Sequence, residues 1–420
     1  MSADRISLGR LWTLMLTGCL DMAGLMMIAP VFPFYAKRLG LEEFWIGVLT
    51  SMFALAQLAT APFWGKLSDR RGRRPVLRLG MLVSVGAHLL FALACSNWAL
   101  GRFDASGLVA LLFVSRIVQG VGGSTTGVVQ AYVADTVASE ERAKALGWIS
   151  AATMAGVVLG SLLGSLAAFA GPASPGITAA ALCLFNFFFI GRFVRESASD
   201  EARAEAATKQ GHSVRQRVYS VLRRPGEPIS RLIWIYGVGM MAFTAMYAML
   251  ALFLLARFAF TEKSMGLVYA LVGIVGMVVR VSLLGPAISR FGERGVMRLG
   301  LGLLIVGFPV MASAPTISVF LLAMLLVPIG QALLFPATTS LVSRFAERHE
   351  RGKILGVQHV YGGVARLVGP IWAGAACQWL SPGAPFWISA AVVAVTLGFA
   401  LGLAPPPATR ERAIEVPLDA

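Results

Sequence analysis

The chain has 420 residues, 57% of them hydrophobic and only 14% charged, with a mean hydropathy of +0.74. A soluble domain sits nearer half apolar and a quarter charged, and here the apolar residues gather in runs, which excludes an ordinary soluble globule. The formal net charge of +15 would suit nucleic acid, but the basic residues are confined to alternate polar gaps, the mark of membrane topology rather than of a nucleic-acid partner.

A helix needs about 20 apolar residues to cross the hydrocarbon, and lipid satisfies no free backbone amide, so each long run is predicted to be a helix. Twelve runs are expected. The first six lie near 11–36, 44–64, 75–95, 107–134, 143–170 and 176–195, and the last six near 229–257, 264–289, 296–313, 315–342, 353–379 and 382–404. The first run lacks a small-x-small cleavage site and is expected to stay as a span. Asp21 lies well inside it, roughly 15 Å of helical rise from the cytoplasmic end.

Between the second and third runs comes GKLSDRRGRRPVLRLG (65–80). Shifted by 220 positions it returns as GPAISRFGERGVMRLG (285–300), with eight identities. Each copy predicts a short arginine-rich turn on one membrane face. His88 falls in the third run, Arg116 in the fourth and Asp135 at the end of the fourth. ERAKALG (141–147) then matches ERGKILG (350–356) at an offset of 209. The chain is thus a duplication, six runs and six, with the substrate expected near the midplane between the halves. Gly156, Gly160 and Gly164 in the fifth run share one helical face, and Gly120 in the fourth stands among further glycines; both patterns let another helix approach closely.

The polar gap 196–228 begins acidic and ends basic. Val214, Val218, Val221 and Leu222 fall on one helical face, which fits either a short helix on an anionic leaflet or a solvated linker. Most Lys and Arg lie in the gaps on one side, both termini and the central gap included. The opposite gaps hold only Lys37, Arg38, Arg102, Arg257 and Lys263. Both termini are therefore expected in the cytoplasm of a bacterial inner membrane protein. Cys19, Cys95, Cys183 and Cys377 all fall in or at the ends of runs, where packing outweighs disulfide formation.

The motifs resemble those of a known family. Gly65, Asp69, Arg70, Gly72, Arg73 and Arg74 stand as in the loop signature of the major facilitator superfamily. Leu20-Asp21 with Ile28-Ala29-Pro30, and Arg116 with Gln119-Gly120, resemble its drug:proton antiporters, and the cadence is similar to that of bacterial tetracycline exporters. Three positions depart from that pattern: Ser161 replaces the fifth-span proline, and Ala87 and Leu304 stand where tetracycline exporters carry acids. They argue against tetracycline as the substrate. The resemblance implies an all-α integral membrane fold of twelve helices in two six-helix pseudo-symmetric bundles, 1–195 and 229–404, joined by a cytoplasmic loop 196–228 and followed by a cytoplasmic tail 405–420. It also implies that Asp69, Arg73 and Asp135, with Gly65, Arg70, Gly72 and Arg74, form a conformational latch on the cytoplasmic side.

A charged side chain inside a bilayer costs a few kcal/mol and marks function by default. Asp21 reads as the proton carrier or as a structural partner for a buried arginine. Arg116 reads as its modulator or as a donor to carbonyls. Arg280 and Arg366 have no acid nearby in their half. They either face the cavity and meet an anionic or phenolate-like substrate, or are satisfied by carbonyls and cavity water. His88 and His359 are further cavity candidates, or packing residues. No histidine pair has metal-ligand spacing, no phosphate-binding loop for ATP is present, and nothing argues for an enzyme or a cofactor. The expected function is proton-coupled efflux of an amphipathic small molecule such as a drug, secondary metabolite or siderophore. The alternatives are proton-coupled uptake of an organic anion, or a non-transporting sensor. The expected partners are substrate, protons and lipid, with no nucleic acid and a monomeric chain.

Overall fold

A computed structural model describes residues 8–123, 126–137, 141–197, 215–347 and 350–403. Every regular element among them is a helix. The first part of the chain runs α1 (Leu8–Ile28), α2 (Phe32–Arg38), α3 (Glu43–Arg71), α4 (Arg73–Cys95), α5 (Asn97–Leu100), α6 (Ala105–Gly122), α7 (Thr126–Thr136), α8 (Arg142–Ala167) and α9 (Ser174–Phe193). The second runs α10 (Arg215–Arg223), α11 (Pro228–Phe258), α12 (Glu262–Val278), a π-helical turn (Val279–Leu283), α13 (Leu284–Ser313), α14 (Ile317–Phe345), α15 (Arg351–Trp379) and α16 (Ala384–Leu401).

Local chemistry sets the ends. The first expected run is broken after Ile28, where Pro30 and Pro33 lack the amides a continuous helix needs, and Pro33 sits in the first turn of α2. Asp104 caps α6 by accepting the Gly107 amide, and that bond with the one from the Ser106 hydroxyl holds its carboxyl below the usual range. The two expected arginine-rich turns are far shorter than the sequence suggests. Between α3 and α4 only Gly72 leaves the helix (φ 97°, ψ 162°), and inside α13 only Gly292 does (φ 66°, ψ 165°). Side chains rarely adopt such angles, so one glycine does the work of a loop.

Ten stretches among the described residues are long and apolar enough to cross a membrane. The eighth and ninth expected runs fuse into one, Glu262–Ser313. Helix α15, which carries Arg351, Lys353, His359 and Arg366, is not in that set. Buried apolar side chains form three clusters. One is built from residues 221–403 with Phe34, one from residues 11–194, and one mixes residues 27–179 with residues of α11 and α15. Helix α10 packs Val218 and Val221 against the first of these, and Tyr361 donates its hydroxyl proton to the Val218 carbonyl. Val218 and Val221 are therefore spent on protein, while Leu222 stays exposed. Val214 and the tail 405–420 lie outside the described residues, as does most of 196–228.

The early and late helices meet along two seams, α3 with α15 and α8 with α12. Small residues permit the closeness: a methyl on Gly47 would strike the Pro370 carbonyl, and one on Gly266 the Ser161 carbonyl. At the Glu43 end the seams are also tied by polar contacts. The Phe44 amide donates to Gln378 Oε1 (3.0 Å), Gln378 Nε2 donates to Glu42 (2.7 Å), and Arg38 pairs with Glu262 at 2.6 Å. Toward the arginine-rich end a methyl on Gly363 would meet Leu58 and one on Gly273 would meet Val158, whereas Gly65, Gly147, Gly276 and Gly356 face open space.

Candidate functional site

Helix α1 is locked in place by α8. Gly156, Gly160 and Gly164 stand so close that a methyl on each would run into the Cys19, Ala23 and Met27 carbonyls, respectively. These contacts bracket Asp21, so the glycine ladder fixes the backbone that carries the acid. Gly120 on α6 stands equally close to the Phe53 carbonyl of α3.

Asp21 lines a cavity of about 50 Å³ with Gln57, Ser84, His88, Gln119 and Gly123, room for a few waters. The carboxylate is half-buried and has no hydrogen-bond or ion-pair partner among the described residues. His88 is buried in the same wall, and its Nδ1 has no partner. Arg116 does not pair with Asp21. Its guanidinium lies over Phe32 (4.8 Å) and Phe53 (5.3 Å), donates to Gln119 Oε1, and leaves Nε buried and unbonded. Cation–π contact holds it in an apolar setting, with Gln119 as the link between guanidinium and cavity. Asp21, Arg116 and His88 are thus gathered in one place. Gln57 and Ser84 were not singled out from the sequence; a glutamine inside an apolar run was the available signal.

Arg280, Arg366 and His359 lie elsewhere, on α15 and the π turn. Arg280 and Arg366 are half-buried, and His359 is exposed. Among the described residues the Nε atoms of both arginines are buried without a partner, and no hydrogen bond joins either guanidinium to a carbonyl.

At the arginine-rich end, Arg73 bonds Asp69 one turn before it, Ser68 Oγ (2.6 Å) and, through Nε, Asp135 Oδ2 (3.0 Å). Arg74 donates to the Gly191 carbonyl. All these partners lie in the first part of the chain, so the cluster bridges neither seam. Arg70 is exposed and takes no part, and Gly65 meets nothing. Glu196 completes the cluster. Its carboxylate accepts the Arg73 amide (2.7 Å) and the Arg74 amide (3.1 Å), capping α4 from another segment. A methyl on Gly72 would stand 2.5 Å from Glu196 Oε2. In the sequence this glutamate reads only as the start of an acidic tether.

Among the described residues no group of three or more His, Cys, Asp or Glu could hold a metal ion. The model of the Major Facilitator Superfamily matches residues 14–284 and 281–418. Multidrug resistance protein 2 of Bacillus subtilis (strain 168) is 30% identical over 90% of this chain and 91% of its own length. The class B tetracycline resistance protein of Escherichia coli is 27% identical, over 84% of each. Among solved structures, the human organic anion transporter MFSD10 superposes with a TM-score of 0.67 at 20% identity, covering 93% of this chain and 98% of that one. At that identity the likeness speaks for the fold alone.

Proposed function

The chain belongs to the Major Facilitator Superfamily, a multi-pass membrane transport protein and not an enzyme, and we propose that it couples the movement of an amphipathic organic molecule to protons carried on Asp21. The carrying observation is the Asp21 carboxylate itself: inside a spanning helix, lining a cavity it shares with Gln57, Ser84, His88 and Gln119, and without a hydrogen-bond or ion-pair partner among the described residues. Taking up a proton removes its charge where charge is costly, and contact with water restores it. A carboxylate whose exposure alternates between the two sides therefore carries protons. Arg116, held by two aromatic rings and Gln119, supplies a positive charge that a small shift of α6 brings nearer or takes away. Two six-helix bundles and twelve crossings, with α15 and both parts of 262–313 counted, fit the segregation of the apolar clusters. The positive-inside rule assigns the arginine-rich end to the cytoplasm, here of a bacterial inner membrane.

Two directions are compatible with this chemistry. Efflux is what the names of the relatives suggest, multidrug and tetracycline resistance proteins. Uptake of an organic anion is favoured by a feature of this chain, the unsatisfied guanidiniums of Arg280 and Arg366. Flux measurements in proteoliposomes with an imposed pH gradient test the proposal. Asp21→Asn is expected to abolish gradient-driven flux, as is an uncoupler. Gradient-driven flux that survives in Asp21→Asn would sink the role of Asp21, and the sign of the wild-type flux decides between efflux and uptake.

A further inference from the structure

Helix geometry aims two arginines into the seam between the early and late helices. On α15, Gly362 faces α11, where a methyl would come 2.9 Å from Tyr236 Cε1, and Gly369 faces the same helix at Thr244. On the other flank, Gly363 meets Leu58 and Pro370 meets Gly47, both on α3. At 3.6 residues per turn Arg366 falls midway between those two packed faces. It points between α11 and α3, toward the centre of the molecule. His359, two turns earlier, shares that stripe and is exposed.

Arg280 reaches the other seam. Gly266 and Gly273 form the stripe of α12 that packs on α8, and Arg280 continues it seven residues on. It sits in the π-helical turn, a local widening found mostly at functional positions. Tyr236 lies on the stripe of α11 that also presents Tyr247, whose hydroxyl reaches Met26 Sδ on α1 at 3.3 Å. Tyr236 packs on α15 at Gly362, one turn before Arg366, and among the described residues no carboxylate pairs with Arg280 or Arg366. An aromatic ring stands beside the group: Phe335 is edge-on to Tyr236 at 5.2 Å.

We propose that Arg280 and Arg366, with Tyr236 beside them, bind the carboxylate of an amphipathic organic acid with an aromatic body, and that this is the class of solute the chain transports. The proposal rests on the transport reading above and adds what is carried. Two planar guanidiniums with free donors suit a planar oxyanion, and the rings beside them suit an aromatic face. Position matters as much as charge: the arginines lie across the seam from the Asp21 cavity, so proton and solute occupy separate sites that one rocking motion exposes together.

The test uses the full-length chain in detergent and in proteoliposomes, with 2-naphthoate, indole-3-acetate and benzoate as probes and neutral 2-naphthamide as the isostere. The acids are expected to bind, with 2-naphthoate favoured over 2-naphthamide by about tenfold or more, as a hydrogen-bonded charge predicts. Arg366→Gln and Arg280→Gln should each weaken 2-naphthoate by about 10- to 100-fold and leave 2-naphthamide nearly unmoved. Arg366→Lys should recover part of the loss, which a misfolded variant could not do. Failure of all three acids to bind, equal binding of naphthoate and naphthamide, or unchanged naphthoate binding in both glutamine variants would overturn the anion site. Naphthoate binding without any proton-driven flux would instead sink the coupling reading and leave the anion site standing.

Discussion

Gly72 and Gly292 stand 220 positions apart and break two helices with nearly the same backbone angles. The residue after each has the opposite charge, Arg73 in the first copy and Glu293 in the second. Their partners are opposite too: Arg73 pairs with Asp135 at 3.0 Å, and Glu293 with Arg344 at 2.7 Å. Asp135 and Arg344 are separated by 209 positions, the offset that also aligns ERAKALG with ERGKILG. The two pairs are thus the same contact with its signs exchanged. What does not change is the next turn. Arg74 donates to the Gly191 carbonyl and Arg294 to the Leu403 carbonyl (3.1 Å). Arg298 donates to Ala400 and Leu401, while Arg78 lies over Phe187 beside Gly191. The fold needs an opposite pair at this corner and an arginine on the ends of α9 and α16; which member of the pair is basic is free. The first copy adds Asp69, Ser68 and Glu196, the second only the Ser340 hydroxyl on Glu293 (3.1 Å), so the first is the more heavily tied among the described residues.

Exchanging charges breaks the comparison most sharply. Arg73→Glu places a fourth carboxylate beside Asp69, Asp135 and Glu196, and like charges in such contact cost several kcal/mol. Transport by Arg73→Glu in proteoliposomes is expected to fall by about 100-fold. Adding Asp135→Arg should restore only part of it, because Asp69 and Glu196 still oppose Glu at 73. The mirror exchange, Glu293→Arg with Arg344→Glu, should bring activity back to within about threefold of wild type, since fewer charges stand nearby. If neither double exchange improves on its single parent, the two corners are not equivalent contacts.

The glycines give the next largest difference. Both backbone conformations are nearly exclusive to glycine, and an alanine there costs about 1–3 kcal/mol in strain. At Gly292 the space for a methyl is open, whereas at Gly72 it is filled by the Glu196 carboxylate. Gly72→Ala is therefore expected to lower the melting temperature in detergent more than Gly292→Ala. Equal losses would mean that Glu196 moves aside at no cost.

How much of this was open to a reader of the sequence depends on what kind of force set each feature. The runs were legible because desolvation acts on twenty residues at once, and the arginine-rich repeat because eight identities survive. The size of the breaks was not: the gaps 65–74 and 290–295 read as polar turns, yet the helices remain helical through them, and one positive φ redirects the chain. Asp21 was visible as an acid in an apolar run, but its freedom from Arg116 was not, because that depends on Phe32, Phe53 and Gln119 capturing the guanidinium. The π turn at Arg280 carries no residue signature. Nor did Glu196 announce itself, since a cap supplied from 120 residues away depends on the fold bringing α9 to α4.

Glu196 also makes the smallest and most discriminating test. Glu196→Gln keeps one acceptor oxygen for the Arg73 amide, puts an NH2 where Oε2 accepts the Arg74 amide, and removes the charge at the N-terminal end of α4. A charge in that position contributes about 0.3–1 kcal/mol near a surface, and losing the cap altogether about 1 kcal/mol. The glutamine variant should therefore cost less stability than Glu196→Ala, and the difference between them measures the one hydrogen bond that glutamine retains. The second copy offers the control, because the Glu293 corner has no such cap among the described residues. Combining Glu196→Ala with the Arg73→Glu and Asp135→Arg exchange makes the first corner resemble the second. If Glu196 is what makes the first copy intolerant of inverted signs, the triple variant should transport better than the double, even though it has lost a cap. A triple variant no better than the double would locate the intolerance in Asp69 instead.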